Sequence, residues 1–251
     1  MAWVLDLDGV VWLAGHPIPG SPEAITRLRQ SGHRVLFLTN NSSLTLAEYV
    51  ERLAGAGVEA APEDLVTSAQ GAAWLLQPGS TAAVVGGPGI LEALETRGVS
   101  VVEAGAKPDT VVVGRTVDLR YDDLAAAATA IRQGARFVAT NTDPTFPTPD
   151  GPAPGAGAIV AFIATVAGRQ PEVAGKPHAA VADLVRAKVG VPAVMVGDRP
   201  DTDGAFAGAV GAPFALVLSG STGPDEIPDD PAPAVVASNL TGAVDRVLGA
   251  A

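Results

Sequence analysis

Two aspartates one residue apart, Asp6 and Asp8, close the apolar run Trp3-Val4-Leu5 and are followed by Gly9. The run reads as a buried strand that ends at Gly9. Side chains alternate along a strand, so both carboxylates should leave one face while Leu7 leaves the other. Two like charges at the end of a strand apolar enough to be buried are costly unless a cation lies between them. That is metal chemistry, although Asp-x-Asp-Gly taken alone is also a good turn sequence.

A second acidic cluster, Gly197-Asp198-Arg199-Pro200-Asp201-Thr202-Asp203-Gly204, follows the apolar stretch Val191-Pro192-Ala193-Val194-Met195-Val196. A helix N-cap at Asp201 or Thr202 accounts for one of these groups but leaves the others unexplained. Two polar segments lie between the clusters. Thr39-Asn40-Asn41-Ser42-Ser43 ends the run Val35 to Leu38, and Thr39 with Asn40 reads as an oxyanion-binding pair at a strand end. Plain capping of the next helix is the competing reading of that pair, and it suffices for Ser42 to Glu48, where Thr45 with Glu48 looks like a capping box. Gly175-Lys176-Pro177-His178 precedes an apolar-periodic helix from Ala179 to Lys188. A lone lysine there is ordinarily a solvated surface residue. It is no P-loop lysine, since Gln170 stands where that loop needs glycine, and His178 reads as structural.

Composition narrows the classes. The chain has 251 residues, 47% hydrophobic and 17% charged, enough for a real core. It has no cysteine, which excludes disulfides and thiolate metal sites, and three scattered histidines, His16, His33 and His178, form no zinc-hydrolase pair. A metal would therefore need oxygen ligands. The net charge of −11, with no basic run, argues against a nucleic-acid or anionic-membrane surface. The first strand starts directly after Met1 and no apolar run reaches spanning length, so the expectation is a cytoplasmic protein with neither membrane nor nucleic-acid partners.

The elements that position these groups alternate strand and helix, which predicts an α/β fold with parallel strands. Pro17 to Gly20 is a loop, and Ser21 is expected to cap a helix with Pro22 in its first turn and Gly32 at its end. A second α/β unit is expected from Glu63 to Arg169. Its strands are placed at Ala82 to Val85, Val99 to Val102, Thr110 to Val113 and Arg136 to Thr140. Its helices are placed at Ser68 to Leu76, Ile90 to Arg97 and Tyr121 to Gln133. Gly86-Gly87-Pro88-Gly89 is a tight turn, because Glu92 breaks the dinucleotide spacing. Ala139 to Pro144 is another polar strand end, and Pro147 to Gly157 reads as a long loop. Phe214 to Leu218 reads as the last clear strand and Leu240 to Leu248 as a closing helix.

Taken together, Asp6-Leu7-Asp8-Gly9, Thr39-Asn40-Asn41, Gly175-Lys176-Pro177 and Gly197-Asp198-x-x-x-Thr202-Asp203 resemble the four ordered motifs of the haloacid dehalogenase (HAD) superfamily. The insertion between the second and third motifs, and the wording Leu38 to Ser43, resemble its subfamily IIA, the NagD and 4-nitrophenylphosphatase group. The resemblance implies a Rossmann-like parallel-sheet core at residues 1–71 and 171–251, carrying an inserted α/β cap of the C2 type at 72–170. It implies Asp6 as nucleophile and Asp8 as general acid and then base. It implies Mg²⁺ held by the Asp6 carboxylate, the Asp8 backbone carbonyl and Asp198, supported by Asp203. Thr39, Asn40 and Lys176 would hold the phosphate. Asn141 and Asp143 would face the active site from the cap, in a loop usually written Ala-Thr-Asn-Pro-Asp, where this chain has Thr142 in place of the proline.

The residue types suit that chemistry independently. Phosphoryl transfer needs charge neutralisation and in-line positioning more than covalent help, and Mg²⁺ prefers hard oxygen ligands. The expected function is a Mg²⁺-dependent phosphatase that hydrolyses a small phosphorylated metabolite through an aspartyl-phosphate. A phosphotransferase or mutase on the same scaffold, and a non-catalytic phosphometabolite-binding protein, are the alternatives. A homodimer formed through the cap is the partner the family suggests.

Overall fold

The computed structural model describes residues 1–13, 15–148 and 150–249. Its first strand, β1 (Ala2–Asp6), is buried at every position. A strand covered on both faces need not alternate, which explains the unbroken apolar run before Asp6. The strand stops at Asp6 and not at Gly9. The Leu7 carbonyl accepts the N–H groups of Val10, Val11 and Trp12, and Gly9 turns with φ of 82°, so the chain leaves the sheet before Asp8. A short antiparallel ribbon of β2 (Trp12–Leu13) and β3 (His16–Pro17) follows.

Helix α1 (Ser21–Gln30) starts from Gly20 in the left-handed conformation. Ser21 does not cap it, contrary to the sequence reading. Its hydroxyl donates to the Val10 carbonyl at 2.8 Å and so ties the helix to the loop after β1. Next come β4 (Arg34–Thr39), α2 (Leu46–Gly55) and β5 (Leu65–Thr67).

The middle of the chain carries α3 (Ser68–Trp74), β6 (Thr81–Val85), α4 (Pro88–Thr96), β7 (Ser100–Val101), β8 (Thr110–Val113), α5 (Tyr121–Arg132) and β9 (Arg136–Ala139). Each lies within two residues of its predicted span. The predicted loop from Pro147 to Gly157 is instead a hairpin, β10 (Thr145–Thr148) with β11 (Gly151–Pro154), running into α6 (Ala156–Ala167). Pro149 lies outside the described residues. Strand β12 (Glu172–Val173) ends the segment.

The remainder holds α7 (Ala179–Val189), β13 (Val194–Gly197), a wide helical turn over Pro200–Gly204, α8 (Ala205–Val210), β14 (Phe214–Val217), β15 (Val235–Ala237) and α9 (Leu240–Gly249). Two expectations need correction here. Neither Asp201 nor Thr202 caps the wide turn, which begins after Arg199 without a side-chain cap. A further strand, β15, follows the one read as the last clear strand.

The chain divides into two compact units, one of residues 1–39, 47–66 and 176–251, the other of residues 40–46 and 67–175. In the first, six strands form one sheet in the order β15-β14-β13-β1-β4-β5, with β1 paired in parallel to both β13 and β4. One hydrophobic cluster joins Val4, Leu36, Leu38 and Met195 of the sheet to Val181 and Val185 of α7 and Phe206 of α8. Full burial of each Leu or Phe there contributes roughly 1.5–3 kcal/mol.

The second unit has its own parallel sheet, in the order β12-β9-β8-β6-β7. Val111, Val113 and Phe137 pack with Leu124 and Ile131 of α5 and with Ile159 and Ile163 of α6. The tight turn expected over Gly86 to Gly89 is confined to Gly86 and Gly87, because α4 begins at Pro88, and the glycines are needed for a reason outside the turn. A β-carbon at Gly87 or Gly89 would stand 2.5 Å or 2.1 Å from the carbonyl oxygens of Ser43 and Leu44. Glycine lets that strand of backbone pass. No helix among the described residues is long and apolar enough to cross a membrane.

Candidate active site

The first unit gathers its chemical groups at one sheet edge. Leu5 is level with Val196 of β13, and Asp6 with Leu38 of β4, so Asp6, Asp198 and Thr39 all emerge at the carboxyl ends of neighbouring parallel strands. Open α/β sheets present ligands at this edge. Lys176, just ahead of α7, sends its ammonium between two carboxylates. Nζ donates to Asp6 Oδ1 at 2.7 Å and to Asp203 Oδ1 at 2.6 Å. The three side chains are 3%, 10% and 0% exposed, so this is a buried ion triad and not the solvated lysine that the local sequence suggests.

Asp6, Asp198 and Asp203 each offer a carboxylate oxygen, and the three atoms lie within 4.8 Å of one another. Their charges do not balance. Three carboxylates face one ammonium, and removal from water raises the Asp6 carboxyl well above its usual range, with Lys176 opposing and Asp203 and Asp198 adding to the rise. Burial, then the Asp203 charge, pushes Asp198 up to about 6. Burial alone would lower Lys176, but Asp203 and Asp6 outweigh it and leave the ammonium more tightly protonated than usual. The uncompensated negative charge and the all-oxygen donor set fit a hard divalent cation such as Mg²⁺.

The carboxylates differ in what already engages them. Asp203 accepts Lys176 on one oxygen and the Arg199 N–H on the other, at 3.1 Å. That suits a supporting role better than a ligand's. Asp198 accepts the Ser221 N–H on Oδ2 at 2.6 Å, while its backbone carbonyl takes the Thr222 hydroxyl. Glycines enclose both groups. A β-carbon at Gly9 would come within 2.5 Å of the Asp198 carboxylate, one at Gly220 within 2.0 Å, and one at Gly197 within 2.2 Å of Asp203. Asp198 thus sits in a slot between two glycines.

Asp8 takes no part in these ion pairs. It is partly buried in the loop beyond β1, and Trp12 Nε1 donates to its Oδ1 at 3.0 Å. Burial raises its carboxyl and the indole hydrogen bond opposes that rise. Thr39, 3% exposed, is hydrogen-bonded through its side chain to the Tyr49 phenol. Burial and then Asp8 push the phenol above its ordinary value, so it stays a neutral partner for Thr39.

In the second unit Asn40, Asn141 and Asp143 form a network of their own. Asn40 Nδ2 donates to Asp143 Oδ2 at 3.1 Å, and Asn141 Nδ2 donates to the Asn40 carbonyl at 2.6 Å. The Asp143 N–H returns to Asn141 Oδ1 at 3.0 Å, so the loop keeps a turn although Thr142 replaces proline. Gly175 is needed beside them, since a β-carbon there would stand 2.5 Å from Asn40 Oδ1 and from the Thr140 carbonyl oxygen.

Sequence reasoning missed Tyr49, Trp12 and the segment Ser219 to Thr222. Tyr49 reads only as the buried face of a helix. The small polar run Ser219-Gly220-Ser221-Thr222-Gly223 directly after a strand of the same sheet was a usable signal.

Residues 3–100 match the haloacid dehalogenase-like hydrolase family and residues 173–243 the HAD-hydrolase-like family. The D-glycerol 3-phosphate phosphatase of Mycobacterium tuberculosis is 40% identical over 223 residues, covering 86% of this chain and 62% of its own length. The glycerol phosphate phosphatase structure from that organism, solved with magnesium, matches with a TM-score of 0.91 at 36% identity, covering 96% of this chain and 76% of that one. The dihydroxyacetone phosphatase of Corynebacterium glutamicum is 34% identical over 90% of this chain and 84% of its own. NagD of Escherichia coli K-12 matches with a TM-score of 0.87 at 31% identity over 96% of both chains. The chain belongs to the haloacid dehalogenase-like hydrolases, with a Rossmann-like α/β fold, in the group that includes NagD.

Proposed function

We infer that this chain is a Mg²⁺-dependent phosphomonoesterase that transfers a phosphoryl group from a small metabolite to Asp6 and then to water. The observation that carries the reading is the buried Lys176 ammonium between Asp6 and Asp203, with Asp198 beside them. Two of the relatives are named for three-carbon compounds, D-glycerol 3-phosphate and dihydroxyacetone, and others as acid sugar phosphatases, so the proposed substrates are short phosphorylated polyols and sugars.

Each residue takes a defined part. Lys176 holds Asp6 Oδ1, which leaves Oδ2 as the nucleophile for in-line attack on phosphorus. Asp8 gives its proton to the leaving oxygen as the P–O bond breaks, and the alcohol departs. Asp8, now a carboxylate, takes a proton from water as that water attacks the phosphorus of the aspartyl-phosphate, which frees Asp6 and inorganic phosphate. Thr39, Asn40 and Lys176 hold the phosphoryl oxygens. Asp6, Asp198 and the Asp8 carbonyl would hold Mg²⁺, which when bound neutralises charge so that an anionic phosphate can approach a carboxylate.

The inserted segment 72–170 is proposed as the substrate-selecting cap, with Asn141 and Asp143 as its contacts. Exposed apolar side chains on α5 and α6, Tyr121, Phe162 and Val166, support a homodimer formed through that segment. Action in the cytoplasm completes the reading.

Phosphate release from a panel of alkyl phosphates tests it, with Mg²⁺ and with EDTA. Release should need Mg²⁺, proceed without an acceptor alcohol, and vanish in Asp6→Asn with the fold intact. Substantial turnover by Asp6→Asn would rule the aspartyl-phosphate out.

A further inference from the structure

We propose that Trp12 is a positioning residue for the reaction, orienting the Asp8 carboxyl group toward the leaving oxygen. The proposal rests on the phosphatase reading above and adds to it a residue that the catalytic motifs do not contain. Its starting point is the end of β1. The strand stops at Asp6, so the sheet's pleat, which fixes where Asp6 points, has no hold on Asp8. Something else has to aim that side chain.

Among the described residues, one side chain is seen to hydrogen-bond the Asp8 carboxyl. Trp12 Nε1–H donates to Asp8 Oδ1 at 3.0 Å, four residues away in the same loop. The loop is a rigid frame for it. The Gly9 N–H bonds the Trp12 carbonyl at 2.7 Å, the Trp12 N–H bonds the Leu7 carbonyl at 3.2 Å, and Asp8 and Trp12 form an isolated bridge. Ser21 and Ser219 fasten it from outside through the carbonyls of Val10 and Gly9, and Trp12 itself is 6% exposed and paired with Pro17. An indole so held has no freedom to follow its acceptor. The acceptor must follow it.

The chemistry gives this contact a specific consequence. A carboxyl group has two oxygens and carries its proton on one. Trp12 is only a donor, so Oδ1 is held as an acceptor and the transferable proton is directed to Oδ2. When the P–O bond breaks, both its electrons go to the leaving oxygen. The proton passes from Asp8 Oδ2 to that oxygen, and Asp8 is left as a carboxylate still hydrogen-bonded at Oδ1. Without the indole donor, both oxygens and several rotamers compete, and the fraction of encounters with a correctly aimed proton falls.

That effect should depend on the leaving group. An alkoxide departs poorly unless it is protonated, whereas 4-nitrophenolate is a stable anion and leaves without help. The parameter kcat/KM covers the steps through departure of the alcohol, so it isolates this event from later hydrolysis of Asp6. The experiment compares kcat/KM for 4-nitrophenyl phosphate with that for an alkyl phosphate hydrolysed by the wild type. It uses wild type, Trp12→Phe, and protein with 3-benzothienylalanine at position 12, which keeps the indole's shape but replaces its N–H with sulfur.

The expected result is an aryl-to-alkyl ratio raised at least about tenfold in both variants, a part of the roughly 10²–10⁴ that a general acid contributes. Both substrates are assayed on one preparation, so any misfolded fraction cancels from the ratio, and the isosteric variant preserves the packing. A ratio unchanged in the isosteric protein would overturn the proposal, because lost packing or stability lowers both rates together. Wild-type turnover and its abolition in Asp6→Asn, run alongside, report separately on the phosphatase reading.

Discussion

Lys176 Nζ lies 2.6 Å from Asp203 Oδ1, and both side chains are buried. Removing one partner of a buried pair strands the other charge, and this ammonium serves two carboxylates at once. Lys176→Met should therefore destabilise the metal-free protein by about 3–5 kcal/mol, as breaking a buried ion pair does. Urea denaturation measures the loss. Adding Asp203→Asn to that variant removes a stranded carboxylate and should restore part of it; strictly additive effects would show that the two groups are not coupled.

Gly220 controls the cation site without a side chain. In Gly220→Ala the new methyl would stand 2.0 Å from Asp198 Oδ2, so the carboxylate must leave its slot and its bond to the Ser221 N–H. Displacing a group that orients a ligand typically weakens metal affinity about 10–100-fold. Titrating activity against Mg²⁺ should show the half-saturation point rising by that amount. A wild-type titration curve would mean that Asp198 does not hold the metal.

The raised carboxyl groups predict how Mg²⁺ and pH act together. Asp6 and Asp198 bind protons more tightly in the folded protein than in the unfolded chain, with Asp198 at about 6. The native state thus holds more protons between the ordinary carboxylate range and that value, and stability from these groups falls as pH rises through the window. Protons and Mg²⁺ compete for the same oxygens. The rise in melting temperature on adding Mg²⁺ should be small at pH 5 and larger at pH 7. An equal or larger rise at pH 5 would contradict this.

The acidic and polar strand ends were legible because charged groups closing apolar runs lack a simple structural excuse. Asp6, Thr39 and Asp198 could be placed at one edge once strands and helices alternated. The burial of Lys176 was not legible, since its partners lie 170 and 27 residues away and nothing local marks it. Proline misled the reading of Pro147 to Gly157. In a two-stranded hairpin every strand is an edge, and Pro147 sits opposite Pro152 where little of the ladder is lost. Helix α6 is apolar almost throughout and gives no period to find, and β15 is too short to show one. The aim of Asp8 was misjudged for a simpler reason: alternation holds only while the strand lasts, and β1 ends two residues earlier.

The strand order has a bearing on how the protein is made. Leu5 emerges from the ribosome long before Val196, its neighbour in the sheet. Until the chain has grown past that point, one side of β1 has no companion strand. A nascent chain must carry this apolar edge until β13 has been made, and a polypeptide released before Met195 would keep it open to aggregation.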